Sequence, residues 1–247
     1  MHLKEIDFLE IFGIRVSKLT NTSFLKCIDR SIKENKKLSV AYANADTLNK
    51  VYSDENLKKI YGSFDLVHPD GIGIYLAAKF LYGNSGLEKR LTGSDFYTYL
   101  ISNSIEKNWS YFFFGHDTKT LEKISKKYPA LNVRGFQEGY NFQSRNVIDT
   151  INNINPDILI IGLSCPLQEK WIHKNRDKLN YKVIIAVGDG IKVFADEKRR
   201  GPLLLRNLGL EWFARYLTNP VSNFRKYIIG NPLFIYRVLN EKFKSNK

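Results

Sequence analysis

Residues 64–83 read FDLVHPDGIGIYLAAKFLYG, and the fold turns on how that stretch divides. FDLVHP is a short apolar run that reads as a strand, and GIGIYLAAKFLYG reads as a helix ending at Gly83. Between them Pro69, Asp70, Gly71, Ile72 and Gly73 form a turn with an acid at its mouth. The acid has two readings. Its carboxylate can accept orphan N–H groups in the first turn of the helix, or the glycines clear space for a ligand on which Asp70 does chemistry.

The same strand-then-helix unit recurs on both sides. KLSVAYAN reads as a buried strand, followed by one helix over ADTLNKVYSDENLKKIYG with Leu48, Val51, Tyr52 and Ile60 near one face. SYFFFG is a strand, with DTKTLEKISKKY behind it and Asp117 as the N-cap. LNVRGF precedes a helix around SRNVIDTINNI, DILIIGL precedes QEKWIHKNRDKL, and YKVIIAVG is the last strand. Apolar strands alternating with helices predict an α/β fold, a mainly parallel Rossmann-like sheet flanked by helices. After Gly201–Pro202 the alternation ceases, and the tail reads as helix broken at Pro220 and Pro232. The expected division is an α/β catalytic core over 1–195 and a basic, amphipathic C-terminal appendage over 196–247.

Composition narrows the class. The chain has 247 residues, 43% of them hydrophobic, which is enough for a substantial core. Its opening is too charged for a secretory signal, and no apolar run approaches the ~20 residues that span a bilayer. Cys27 and Cys165 form neither a disulfide framework nor a zinc pattern. A cytoplasmic protein is expected. The net charge of +13 favours polyanionic partners. From Asp196 onward there are eleven Lys and Arg against four Asp and Glu, interleaved with large apolar and aromatic residues. That mixture suits an anionic membrane surface, where charge meets headgroups and rings enter the acyl boundary. It equally suits a helical subdomain packed on the core. Nucleic acid is not expected as a partner, because no recognised nucleic-acid motif occurs and the aromatics lie mostly in core strands.

Ligands of parallel sheets sit at the carboxyl ends of the strands, and unusual polar residues fall there. Asn44 follows LSVAYA, Asp70 follows FDLVHP, LSCPLQE follows DILIIG, and Gly188–Asp189 follow VIIAV. No GxGxxG fingerprint and no GxxxxGK[ST] loop accompanies them. The four histidines lack metal-ligand spacing, so neither a metal nor another cofactor is expected. Asp70 can take a proton from a hydroxyl held within about 3 Å. Asn44 and Gln168 offer amides for sugar hydroxyls or a base edge. Arg90, Arg200, Arg215 and Arg225 offer planar forks for phosphate oxygens, the means of neutralising a departing diphosphate without a metal.

Taken together, Asn44 with its helix, PDGIGIYLAAKFLYG, RLTGSDF (Arg90–Phe96), GLSCPLQEKWI, VIIAVGDG, RRGP (Arg199–Pro202) and GLEWFARYLTNP resemble the WecG/TagA/CpsF glycosyltransferases over most of the chain. The resemblance implies metal-independent, inverting transfer of a sugar from a nucleotide diphosphate, UDP by expectation, to an undecaprenyl-diphosphate-linked glycan. It also implies an α/β core, peripheral association with the inner face of the cytoplasmic membrane, and self-association into homo-oligomers. Asp70 takes the place of the general base. Asn44, Gly71, Arg90, Asp95 and Gln168 fall on substrate-binding motif positions, and Arg200, Arg215 and Arg225 on diphosphate-binding ones.

The chain also departs from the family pattern. Tyr42 stands where a Thr is common, Gly188-Asp-Gly-Ile-Lys192 replaces a Gly-x-x-Phe-Asp run, and Asp196 replaces a Gly. These changes border the expected donor pocket, where Tyr42, Gly188 and Lys192 would meet the sugar. Lys192 would suit a donor carrying a carboxylate, such as a uronic acid, whereas hexosyl and N-acetylhexosaminyl donors need no such cation. A scaffold that keeps the fold and loses catalysis is the alternative reading; the presence of Asp70, Asn44, Arg90 and Gln168 together favours the enzyme.

Overall fold

The structure is a computed structural model that describes residues 6–198 and 200–245; Arg199 of the RRGP run lies outside the described residues. Six strands make one parallel sheet: β3 (Leu38–Ala43), β4 (Leu66–Pro69), β5 (Tyr111–Gly115), β6 (Val133–Gln137), β7 (Ile158–Gly162) and β8 (Val183–Ala186), in the order β4-β3-β8-β7-β5-β6. All six coincide with the strands read from apolar runs. Ahead of them β1 (Phe8–Ile11) and β2 (Ile14–Ser17) pair as an antiparallel hairpin that the sequence reading did not contain.

Helices fill the connections. These are α1 (Asn21–Lys33), α2 (Ala45–Tyr52), α3 (Glu55–Gly62), α4 (Ile72–Tyr82), α5 (Gly93–Lys107), α6 (Thr118–Lys127), α7 (Ser144–Ile154), α8 (Leu167–Asn175) and α9 (Ile191–Phe194). The tail forms α10 (Leu203–Asn207), α11 (Glu211–Thr218), α12 (Pro220–Asn223), a π-helical turn over Phe224–Ile229, and α13 (Gly230–Ser245). Among the described residues no helix is long and apolar enough to cross a membrane.

Side chains that alternate along the strands feed two cores, one on each face of the sheet. On β5, Phe112 and Phe114 enter the first, and Tyr111 and Phe113 the second. The first core also holds Phe234 and Val238 of α13, so part of the tail is core material.

Two expectations need correction. The single helix over 45–62 is two, because Asp54 stops the first and caps the second: its carboxylate accepts the Leu57 N–H at 2.9 Å. Pro232 does not break the tail. It lies in the first turn of α13, where no backbone N–H is required. Asp117 does cap α6, accepting the Thr120 N–H at 2.9 Å.

Candidate active site

A cavity of about 430 Å³ opens over the carboxyl ends of β3, β4 and β8, roofed by the tail. Its floor is the turn that follows β4. The Asp70 N–H bonds to Ala43 O of β3 at 2.8 Å and the Gly71 N–H to Leu91 O at 2.9 Å. Gly71 adopts φ +90, which a side chain rarely tolerates, so the turn needs glycine there.

The carboxylate does not cap the helix behind it. Gly71 is the N-cap of α4 and no side chain caps that helix. Asp70 instead reaches the N-terminus of α5, where its Oδ1 accepts the Gly93 N–H at 2.8 Å. Its Oδ2 receives Nδ2 of Asn44 at 3.4 Å. Asn44 is itself held by capping α2, with Oδ1 accepting the Thr47 N–H at 3.0 Å. Burial opposes ionisation of Asp70, but the Gly93 N–H and the Lys198 and Arg215 cations outweigh it. The group therefore titrates below the ordinary aspartate value and is an anion at neutral pH, able to take a proton. Beneath it His68 is fully buried, and burial holds it below the usual histidine value and neutral.

Cations converge from the opposite wall. Arg90, Lys198, Arg215 and Lys226 all line the cavity. Arg215 is fixed by Glu211 at 2.5 Å, while its buried Nε has no hydrogen-bond partner. Arg215 lines the cavity, where its guanidinium fork suits phosphate oxygens. Lys198 lies 3.7 Å from Asp189. Burial and repulsion from Arg215 lower its pKa to about 8, against the pull of Asp189, Asp70 and Glu211. Sequence reasoning missed Lys198 and Glu211, since nothing in a basic tail marks which lysine becomes buried. Lysine is seldom buried without a partner, and only the folded chain reveals it.

Of the residues expected at the site, Asp70, Asn44, Tyr42, Gly71, Arg90 and Arg215 come together around this cavity. The others stand behind it or away from it. Gln168 is fully buried; its Oε1 accepts the Gly188 N–H at 2.9 Å and its Nε2 donates to Glu169 at 2.8 Å. Glu169 also accepts from Tyr61 at 3.3 Å, and burial pushes its carboxyl above the usual range. The pair thus secures the turn after β8. Asp95 accepts from Thr92 at 2.6 Å and pairs with Arg200 at 2.7 Å, so Arg200 ties the start of the tail to α5. Lys192 pairs with Asp189 at 3.1 Å. Arg225 is exposed in the π-helical turn and does not line the cavity. Among the described residues, no three His, Cys, Asp or Glu side chains are placed to hold a metal ion.

A Rossmann-like sheet with a cavity at its carboxyl edge, an ionised carboxylate set opposite a cluster of cations, is the architecture of an α/β enzyme. The particular family follows from comparison: the model of the glycosyl transferase WecG/TagA/CpsF family matches residues 9–247, and the chain belongs to that family. It is a glycosyltransferase. Similar proteins include an N-acetylglucosaminyldiphosphoundecaprenol N-acetyl-beta-D-mannosaminyltransferase of Bacillus spizizenii, 28% identical over 99% of this chain and 93% of its own length. Proteins of the same name from Bacillus subtilis (28% identical, 90% of this chain and 87% of theirs) and Staphylococcus aureus strain MRSA252 (23%, 97% and 95%) are also similar.

Proposed function

We propose that this protein transfers an N-acetylhexosamine, with inversion, from a UDP donor to a sugar carried on undecaprenyl diphosphate. The observation that carries the reading is Asp70, held as an anion between Asn44 and the Gly93 N–H on the cavity floor, facing Arg215 and Lys198. In the reaction the acceptor hydroxyl gives its proton to Asp70 while its oxygen bonds to the anomeric carbon. The bond from that carbon to the diphosphate oxygen breaks on the opposite face, and UDP departs with the electron pair. Arg215 and Lys198 meet the charge that develops on the diphosphate, so the chain supplies from its own side chains the neutralisation a metal would give. The names of the similar proteins support the acceptor and the N-acetylhexosamine class. The Lys192–Asp189 pair supports a neutral sugar, because the lysine already has its carboxylate.

In this reading 1–195 is the α/β catalytic core with Asp70, and 196–247 is an appendage that completes the cavity with Lys198 and Arg215 and brings it to the membrane. Exposed Leu203, Leu204, Leu217 and Val221, with the exposed Arg225 on the same tail, support peripheral docking on an anionic inner leaflet. The test is a donor panel of UDP-N-acetylmannosamine, UDP-N-acetylglucosamine and UDP-glucuronic acid with a polyprenyl-diphosphate-linked N-acetylglucosamine and a chelator, read by mass spectrometry of the lipid. Extension by an N-acetylhexosamine is expected. Extension only by the uronic acid, or only when divalent metal is restored, would overturn the reading.

A further inference from the structure

Behind the cavity lies a carboxyl group that the proposed reaction does not use. Glu169, in the first turn of α8, is fully buried and does not line the cavity. It makes no salt bridge among the described residues. Lys50, whose charge reaches it, is held by Asp46 at 2.9 Å and by Cys165 O at 3.2 Å. A buried carboxylate with no cation of its own is among the costliest groups a fold can hold, and the neutral acid costs far less. Burial correspondingly pushes this carboxyl above the usual glutamate range.

One oxygen of this acid ties three elements together. Glu169 Oε1 accepts from Gln168 Nε2 at 2.8 Å and from the Tyr61 hydroxyl of α3 at 3.3 Å. That hydroxyl also lies 3.2 Å from Tyr42 O, at the end of β3. With Nε2 committed to Glu169, the Gln168 Oε1 faces the other way and accepts the Gly188 N–H at 2.9 Å. Were the amide turned over, Nε2 would oppose the Gly188 N–H, donor against donor. Glu169 therefore fixes which way the amide points. Gly188 stands in the turn after β8, so near the Tyr42 hydroxyl that a Cβ there would lie 2.8 Å from it. Tyr42, Val187 and Gly190 line the cavity, so the buried acid reaches the cavity wall through one amide and one backbone N–H.

From this arrangement we infer that Glu169 is a positioning residue of the enzyme: as a neutral acid it orients Gln168 and, through it, the wall after β8, and so sets the affinity for the donor. The donor in that statement rests on the proposed function; the neutral acid and the amide orientation do not. Asp70 and the cations stand on other elements, the turn after β4 and the tail. Loosening the wall after β8 leaves them in place, so it weakens binding of donor and transition state alike and raises KM more than it lowers kcat.

The experiment combines donor kinetics of the full chain at saturating acceptor with infrared spectroscopy. Glu169→Leu removes the acceptor of Gln168 Nε2 and should raise the donor KM by about 3- to 10-fold, with a smaller change in kcat. Glu169→Gln puts an uncharged amide oxygen where Oε1 stands and should restore KM to within about twofold of wild type. The double variant Gln168→Leu/Glu169→Leu should show no rise in KM beyond that of Gln168→Leu alone, because Glu169 acts through Gln168. The infrared difference between wild type and Glu169→Gln at neutral pH should contain the carbonyl band of a protonated carboxyl. Should Glu169→Leu fail to fold, the Gln variant and the band decide the matter. A loss in Glu169→Gln as large as in Glu169→Leu, effects that multiply in the double variant, or the absence of the band would each overturn the inference. The band in a protein that transfers no sugar would keep the neutral acid and remove the glycosyl-transfer reading; transfer without the band would do the reverse.

Discussion

Raising the pH should disarm this enzyme through one residue, Lys198. Its ammonium is nearly enclosed, and its pKa lies at about 8 because burial and Arg215 disfavour the charge more than Asp189, Asp70 and Glu211 favour it. One unit above that value about one lysine in eleven stays protonated, so kcat/KM for the donor should fall roughly tenfold per pH unit beyond pH 8. The fall belongs in kcat/KM, which reports groups of the free enzyme. Once a diphosphate is bound its negative charge raises the lysine pKa, so kcat should stay level to higher pH. Lys198→Gln should lose a charge-assisted hydrogen bond of about 1.5–3 kcal/mol, roughly 10- to 150-fold in kcat/KM at neutral pH, and show no basic limb. Lys198→Arg keeps the charge at every accessible pH and should also abolish the limb. The assay is UDP release at saturating acceptor between pH 6 and 10, with those bounds set by the ordinary lysine range of about 10.4. A basic limb near 8 that persists in Lys198→Gln would refute the reasoning, as would a wild-type profile flat through pH 10.

Gln168→Leu should leave the Gly188 N–H buried without its acceptor, a loss of about 1–3 kcal/mol that lowers the melting temperature by several degrees, and donor turnover should fall with it. Phe234→Ala should cost about 3–5 kcal/mol in chemical denaturation, since that tail side chain is only 3% exposed, whereas Phe243→Ala, on an exposed ring of the same helix, should cost under about 0.5 kcal/mol. Because Asp70 is held below the ordinary aspartate value, the rate should show no acid limb between about pH 5 and pH 7; a limb centred near pH 6 would place the base elsewhere.

The sheet was legible because its inner strands β3, β5, β7 and β8 are runs of apolar residues, the pattern of a strand buried on both faces, whereas the edge strand β6 (VRGFQ) has no buried residue. The β1–β2 hairpin was not, because its turn is Phe12–Gly13, with Phe12 at φ +56 and Gly13 at φ +76. Such turns favour Asn or Asp before the glycine. Phe12 occupies the position because its ring packs edge-on against Tyr52 and Phe234, with centroids 5.1 and 5.6 Å away, a tertiary contact that overrides local preference. The break between α2 and α3 carried a readable signal, since Asp54 precedes a fresh apolar period. At the site, sequence reasoning found the residues at strand ends, Asn44 and Asp70, because strand ends can be counted. It could not separate arginines that face the cavity from those that brace it. Arg215 and Arg200 look alike in a basic tail, and only the Asp95 pair at 2.7 Å makes Arg200 a brace. Gln168 likewise serves the Gly188 backbone from behind the wall, a role that depends on the fold of the turn after β8.

The most direct test of the account is Asp70→Asn, assayed for transfer from a UDP-N-acetylhexosamine to a polyprenyl-diphosphate-linked acceptor, with donor affinity measured alongside by calorimetry. The amide oxygen can still accept the Gly93 N–H, so the fold and donor binding should persist. The proton acceptor is gone, and the rate should fall by about 10²- to 10⁴-fold. Transfer within about threefold of wild type, well short of the smallest loss a missing base causes, would contradict the central claim.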